Sequence, residues 1–403
     1  MTDSCNKKNL RSQISDLKSN NGPMAWFADM IQHCHQYAME AKGQGRSIVG
    51  ILCEYTPREL IMAAGGVPVC LCGGSAEMIG PAEEHLPANL CPLIKSTYGY
   101  GVKQANPFLE MADLVVAETT CDGKKKMYEL LARTRPVYVL ELPQKPTDSD
   151  AFEHWVRELR KLRAELERRL GVQITDEQIR RAIRAMNRER RLRRQLADLM
   201  RSEAPPLTGR QLLDLKSIIS GIEADLEQYA GAIDLLGKAP SANGRVRALL
   251  TGVPTVHGAE RVLDIIEASG GLVVCMDNCT GLKPIWDDVD ESAEDPILAL
   301  AEKYFQIPCS VMTPNDRRLD LIREMIKTYR PQCIIDLIWQ ACLTYDVESH
   351  RIKDLATELG LPFLRIETDY SPSDSARIAL RVEALFETVR QKTDSKPFND
   401  LTI

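Results

Sequence analysis

The twelve cysteines are the residues best equipped to do chemistry in this 403-residue chain. A thiolate is a nucleophile, a redox group and a soft metal ligand. Six fall at the ends of apolar runs or beside prolines: Cys53, Cys91, Cys121, Cys279, Cys309 and Cys342. Cys53 closes the run from Ser47 and precedes Glu54, Tyr55, Thr56 and Pro57; Cys121 follows Leu114-Val115-Val116; Cys279 follows Leu272–Met276; Cys342 follows Ile334–Ile338. Cys91 and Cys309 sit next to Pro92 and Pro308. Three thiolates per half suit an iron–sulfur cubane with one iron free of protein ligands. Zinc sites use short Cys-x2-Cys pairs, and thioredoxin-type redox sites use the same spacing; the chain contains none. Thiolates spread over long spacings favour an iron–sulfur cluster over zinc.

The other six read differently. Cys70 and Cys275 lie inside apolar strands and Cys333 opens one, which suits buried packing. Cys72, two residues past Cys70, stays open between the two roles. Cys34 stands between His33 and His35, but adjacent helical positions diverge, so the trio reads as surface rather than metal site. Cys5 lies in a polar tail. The plain alternative is that all twelve are core or incidental thiols.

Positioning six loop cysteines requires a scaffold that brings distant loops together. Apolar strands alternate with helices over residues 46–149 and again over 241–403, which implies parallel sheets covered on both faces. The expected strands are Ser47–Cys53, Val67–Cys72, Ala112–Ala117 and Val137–Glu141, then Arg247–Thr251, Leu272–Met276, Cys333–Ile338 and Phe363–Ile366. In such sheets ligands bind beyond the carboxyl ends of the strands, where all six loop cysteines are expected. Residues 1–45 form an N-terminal helical segment, with a helix over 22–45. Residues 150–240 form a helical domain or linker. There Trp155, Leu159, Leu162, Leu166 and Leu170 make a helical stripe that Gly171 ends, and Thr175 with Gln178 starts the next helix as a capping box. The sequence from Thr208 to Leu236 reads as helical again.

The two α/β segments look duplicated. AAGGVPVC (Ala63–Cys70) answers ASGGLVVC (Ala268–Cys275) at an offset of 205 residues. LPANLCP (Leu86–Pro92) answers FQIPCS (Phe305–Ser310) at 218, and ADLVVAETTC (Ala112–Cys121) answers CIIDLIWQAC (Cys333–Cys342) at 221. The repeat does not supply Cys279: at offset 205, Cys53 falls against Gly258, which leaves Cys275 as a competitor for that ligand position.

Composition sets the remaining bounds. The 44% hydrophobic and 27% charged content describes an ordinary globular chain. A net charge of -6 gives no electrostatic reason to expect nucleic-acid binding. No apolar run approaches the roughly 20 residues needed to cross a bilayer. The polar stretch Met1–Asn21 lacks a signal-peptide core, so a cytoplasmic location is expected.

The motifs CEYTPRELIMAAGGVPV (Cys53–Val69), CPLIKS (Cys91–Ser96), CDGKKK (Cys121–Lys126) and IETDY (Ile366–Tyr370) resemble the 2-hydroxyacyl-CoA dehydratase and benzoyl-CoA reductase family over most of residues 46–390. Within that family the six loop cysteines look most like those of the double-cubane cluster proteins. The resemblance implies two Rossmann-like α/β domains and a double-cubane 8Fe-9S cluster. Cys53, Cys91 and Cys121 would hold one part, and Cys279, Cys309 and Cys342 the other, with the division between cubanes open. It further implies a homodimer and a small-molecule substrate reduced at low potential. A separate ATP-hydrolysing activator dimer with its own 4Fe-4S cluster would supply the electrons. The absence of a phosphate-binding Gly-x4-Gly-Lys-Ser/Thr loop agrees with an ATPase in a second protein. The alternatives are a subunit with a single 4Fe-4S cluster, acting in a dehydratase or benzoyl-CoA reductase, and a non-catalytic electron carrier or cluster-assembly protein.

Several charged groups adjoin these motifs. Lys95, Lys124, Lys125 and Lys126 could offset cluster charge, although Lys125 and Lys126 read more simply as solvated; Glu54 and Tyr55 adjoin Cys53. The arginines between Arg180 and Arg194 read as a solvated or acid-paired face, and Asp287–Asp295 as a solvated loop.

Overall fold

The structure is a computed structural model and describes residues 22–237 and 244–394. Cys5 and the expected boundary at residue 240 lie outside the described residues.

Eight apolar runs form strands. The first four are β1 (Ile48–Ile51), β2 (Val67–Cys70), β3 (Leu114–Glu118) and β4 (Val137–Leu140). The second four are β5 (Val246–Gly252), β6 (Gly271–Met276), β7 (Cys333–Trp339) and β8 (Phe363–Thr368). They make two separate sheets with one topology, β2-β1-β3-β4 and β6-β5-β7-β8, and every pairing is parallel. The central strands β1, β3, β5 and β7 are buried along their whole length, as continuous apolar strands between helical layers must be. The chain thus has the expected α/β architecture of two Rossmann-like units. The duplicated glycines share a structural role: Gly65 (φ +78°) and Gly270 (φ +90°) turn the chain out of a helix into β2 and β6.

The helix Ser149–Leu170 is capped by Asp148 at its start and ends at left-handed Gly171. Its stripe of Trp155, Leu159, Leu162 and Leu166 shares a core with Val49, Ile51, Leu114 and Val116 of the first sheet, and with Ile297, Tyr304 and Phe305 from beyond β6. The next helix, Asp176–Asp198, starts at the Thr175/Gln178 capping box. Its basic residues are largely paired. Arg191 and Arg194 bind Asp288, Arg180 binds the carbonyls of Ala293 and Glu294, and Arg188 binds Glu223. The acidic loop Asp287–Asp295 is therefore the counterface of this helix rather than a freely solvated segment. Arg190 is buried and meets buried Glu59 of the first unit and the Tyr304 hydroxyl of the second, tying the units together.

One expectation needs correction. Thr208–Leu236 is two helices, Gly209–Asp214 and Glu223–Leu236, and the residues between them are extended beside β2. There the Cys70 N–H donates to the Ile218 carbonyl at 2.8 Å, and Val69 bridges Ile219 in antiparallel fashion. β-Branched Ile218 and Ile219, followed by Gly221 at φ +78°, favour this excursion over a continuous helix.

Candidate cysteine-lined cluster site

Because both sheets are parallel, each gathers its strand ends on one edge, and the two edges face each other across the boundary between the units. Cys53 follows β1, Cys279 follows β6, and Cys309 lies in the loop after the helix Pro296–Phe305. Cys91, Cys121 and Cys342 each stand at the N-cap of a helix (Pro92–Lys103, Asp122–Leu131 and Leu343–Glu358). A helix N-terminus favours negative charge, so these positions favour thiolates.

All six predicted thiols come into one neighbourhood. The Cys342 thiol hydrogen-bonds to Cys91 from the opposite unit, which lowers the Cys91 pKa; the same contact, with burial, pushes Cys342 well up. Burial raises Cys53 well above an ordinary thiol, and Cys279 and Cys309 from the other unit add to the rise. Burial also pushes Cys279 up to about 11, although Lys283 opposes it. Cys121, raised by burial, feels both Cys91 and Cys309. The six therefore form a connected set that neither unit could assemble alone. All are free of disulfides. Among the described residues, no three His, Cys, Asp or Glu side chains converge on a position suited to a single metal ion.

Two lysines face this set, one from each unit. The Lys124 ammonium, on the helix that Cys121 caps, donates to the Leu52 carbonyl at 2.5 Å, next to Cys53. Burial works against its charge, but Tyr128, Cys53, Cys72 and Glu118 outweigh burial and hold it protonated. Lys283 is buried and donates to the Tyr345 hydroxyl at 2.8 Å. Burial opposes its charge too, and Cys279, Asp277 and Cys309 outweigh it. Tyr55 donates to the Ile307 carbonyl at 2.6 Å, fastening the Cys53 loop to the Cys309 loop. Glu118, at the end of β3, is pushed up to about 7 by burial, against a hydrogen bond from Thr56 and the charge of Lys124. Arg318, buried beside Tyr345, pairs with Asp277 and Glu348 and stiffens the loops around Cys279 and Cys309.

The other predicted neighbours are held in ion pairs, and Glu54 still helps raise the Cys279 thiol. Lys95 is buried but pairs with Glu83, while Lys125 and Lys126 are exposed and bind Asp122 and Glu129 on their own helix. Glu54 pairs with Arg58 at 2.9 Å. Cys275 packs inside β6 with its thiol raised by burial, Cys333 is fully buried in β7, and Cys34 is buried with its thiol 3.2 Å from the Ser217 hydroxyl rather than on the surface. Lys283 and Tyr345 escaped sequence reasoning. The one local signal was Lys283 standing four residues after Cys279.

Comparison with known proteins adds a family to this geometry. The chain is 40% identical over 372 residues to YjiM of Escherichia coli (strain K12), named as a proposed dehydratase subunit, covering 90% of this chain and 96% of that one. It is 24% identical over 373 residues to the (R)-phenyllactyl-CoA dehydratase beta subunit of Clostridium sporogenes, covering 90% and 97%. It is 23% identical over 333 residues to a benzoyl-CoA reductase subunit of Thauera aromatica, covering 79% and 84%. The family model for the D-component of 2-hydroxyglutaryl-CoA dehydratase matches residues 53–389, from the first predicted cluster cysteine to the last helix. The chain belongs to the 2-hydroxyglutaryl-CoA dehydratase D-component family.

Proposed function

We propose that the chain is the iron–sulfur component of an ATP-dependent reductase and holds a double-cubane 8Fe-9S cluster on Cys53, Cys91, Cys121, Cys279, Cys309 and Cys342. The observation that carries this reading is the meeting of six free thiols, three from each unit, at the boundary between the units. Soft thiols spread over long sequence spacings suit the corners of a multi-iron cluster rather than a single zinc ion. The soft donor set and the two lysines beside it fit a group of net negative charge. Once bound there, such a cluster would supply low-potential electrons and an iron open to a small molecule. The chain's own contribution is to hold the thiolates, to offset their charge through Lys124 and Lys283, and to flank them with Tyr55 and Tyr345. In this reading the protein is a cytoplasmic, oxygen-sensitive homodimer. A separate ATP-hydrolysing activator dimer with its own 4Fe-4S cluster passes it electrons.

A second reading has its own support. The relatives at 23–24% identity are named as single subunits of larger enzymes, which favours a subunit with one 4Fe-4S cluster in a dehydratase or benzoyl-CoA reductase. Iron and acid-labile sulfide per chain, on anaerobically purified protein, separate the two. About eight irons with about nine sulfides support the double cubane, about four of each support the single cluster, and none contradicts both.

A further inference from the structure

A cavity lies beside the six-thiol set. Its volume is about 340 Å³, near the lower bound of ordinary ligand pockets. One wall is the Cys70–Cys72 strand end, another the extended segment after Asp214, and a third the loop from Thr255 to Glu260 of the second unit; Thr280, next to Cys279, closes it. Cys72 joins the cavity to the thiol set: its thiol donates at 3.5 Å to the Leu52 carbonyl, the acceptor that Lys124 also uses.

The walls carry four cations, Arg58, Arg193, Arg210 and Lys216. Two are committed: Arg58 to Glu54 at 2.9 Å, and Arg210 to Asp214 at 2.9 Å and Asp264 at 3.0 Å. Arg193 reaches Glu189 only at 3.8 Å. Among the described residues, the Lys216 ammonium has no ion-pair or hydrogen-bond partner, although the side chain is only partly exposed. An ammonium withdrawn from water without a partner is costly, and a ligand anion would relieve that cost. The carboxylates of the lining are engaged elsewhere: Asp214 pairs with Arg210 at 2.9 Å, and Glu260 accepts from the Gly258 N–H at 2.9 Å. Burial, with Arg193 beside it, holds Lys216 below an ordinary lysine, and a bound anion would reverse that shift.

We propose that this cavity binds a small carboxylate, seated on the Lys216 ammonium and the Arg193 guanidinium, as the substrate side of the six-thiol set. The planar guanidinium matches a carboxylate edge and the ammonium supplies a point charge at its other oxygen. The volume admits a molecule of a few heavy atoms and is too small for a whole coenzyme A thioester. Only the word substrate rests on the redox reading; the binding chemistry stands on the cavity alone.

The test is calorimetric titration of the anaerobically purified full chain with acetate, glycolate and malonate, with acetamide as the neutral isostere. At least one carboxylate should bind and acetamide should not. Lys216→Met should weaken that binding about ten- to a hundred-fold, while Lys216→Arg retains most of it. Arg193→Gln should weaken it by a smaller factor, and Lys327→Met, on a distant helix, should leave it unchanged. Iron content and melting temperature of each variant show whether it is folded and loaded. Equal binding of acetamide, unchanged affinity in a folded Lys216→Met protein, or no carboxylate binding in iron-loaded protein would overturn the proposal. Carboxylate binding in a chain that never takes up iron would uphold the cavity and sink the redox reading instead.

Discussion

The two α/β units share one strand order, yet they deliver their thiols differently. In the first unit the candidate ligands Cys53 and Cys121 follow the two central strands β1 and β3; in the second Cys342 follows the central strand β7 but Cys279 follows the edge strand β6. At the repeat's offset of 205 residues Cys53 falls against Gly258, but the strand registers set its counterpart at the end of β5, between Thr251 and Pro254, where the sequence has no cysteine. Gly258 has φ +92° and lies against the backbone of Gly74, so any added Cβ would be strained. The loops after β2 and β5 abut at this point, and a Cβ on Gly74 would sit 2.1 Å from the His257 carbonyl oxygen. This close approach lets the units face each other, and the second unit places its thiols in the loops after β6 and β7 and after the helix Pro296–Phe305.

If the units contribute equally despite this asymmetry, removing a thiol from either should have the same consequence. Cys91→Ala and Cys342→Ala should each cost at least half of the bound iron, measured with acid-labile sulfide on anaerobic protein. Loss confined to the first-unit variant would break the equivalence. Cys279→Ala should behave like these two, whereas Cys275→Ala, inside β6, should leave iron intact.

The Gly74–Gly258 contact sharpens the comparison further. Gly74→Ala should destabilise the protein by about 2–4 kcal/mol in denaturant unfolding, because backbone atoms on both sides must move. A cost near zero would show that the units do not abut as described.

The lysines test whether the units also share charge compensation. Lys124→Met and Lys283→Met should each keep the iron but lower its reduction potential. The effect should be on the order of 1–2 kcal/mol, as expected for one unit charge several ångströms away at an effective dielectric near 20. A shift from one lysine alone would confine the electronic role to one unit. The smallest effect is expected from Lys125→Ala and Lys126→Ala, whose ion pairs are exposed and screened by solvent and whose loss should leave iron and potential unchanged.

What the sequence made legible follows from the same physics. Cysteines at the ends of apolar strands could be placed on a sheet edge because parallel topology leaves little choice of edge. The glycine repeat marked β2 and β6 because the turn into each needs a left-handed residue. Lys283 and Tyr345 stayed hidden because their burial depends on the second unit's loops closing over Cys279, a tertiary event with no local pattern. Lys216 was hidden for a related reason: its segment scanned as helix, and only pairing with β2 turns the extended chain past the Cys70–Cys72 strand end.

The most direct test of the shared site is anomalous diffraction at the iron edge from crystals grown without oxygen. The expected result is one compact group of about eight irons, contacted by Cys53, Cys91 and Cys121 from one unit and by Cys279, Cys309 and Cys342 from the other. Iron bound only by first-unit cysteines, or none between the units, would contradict it.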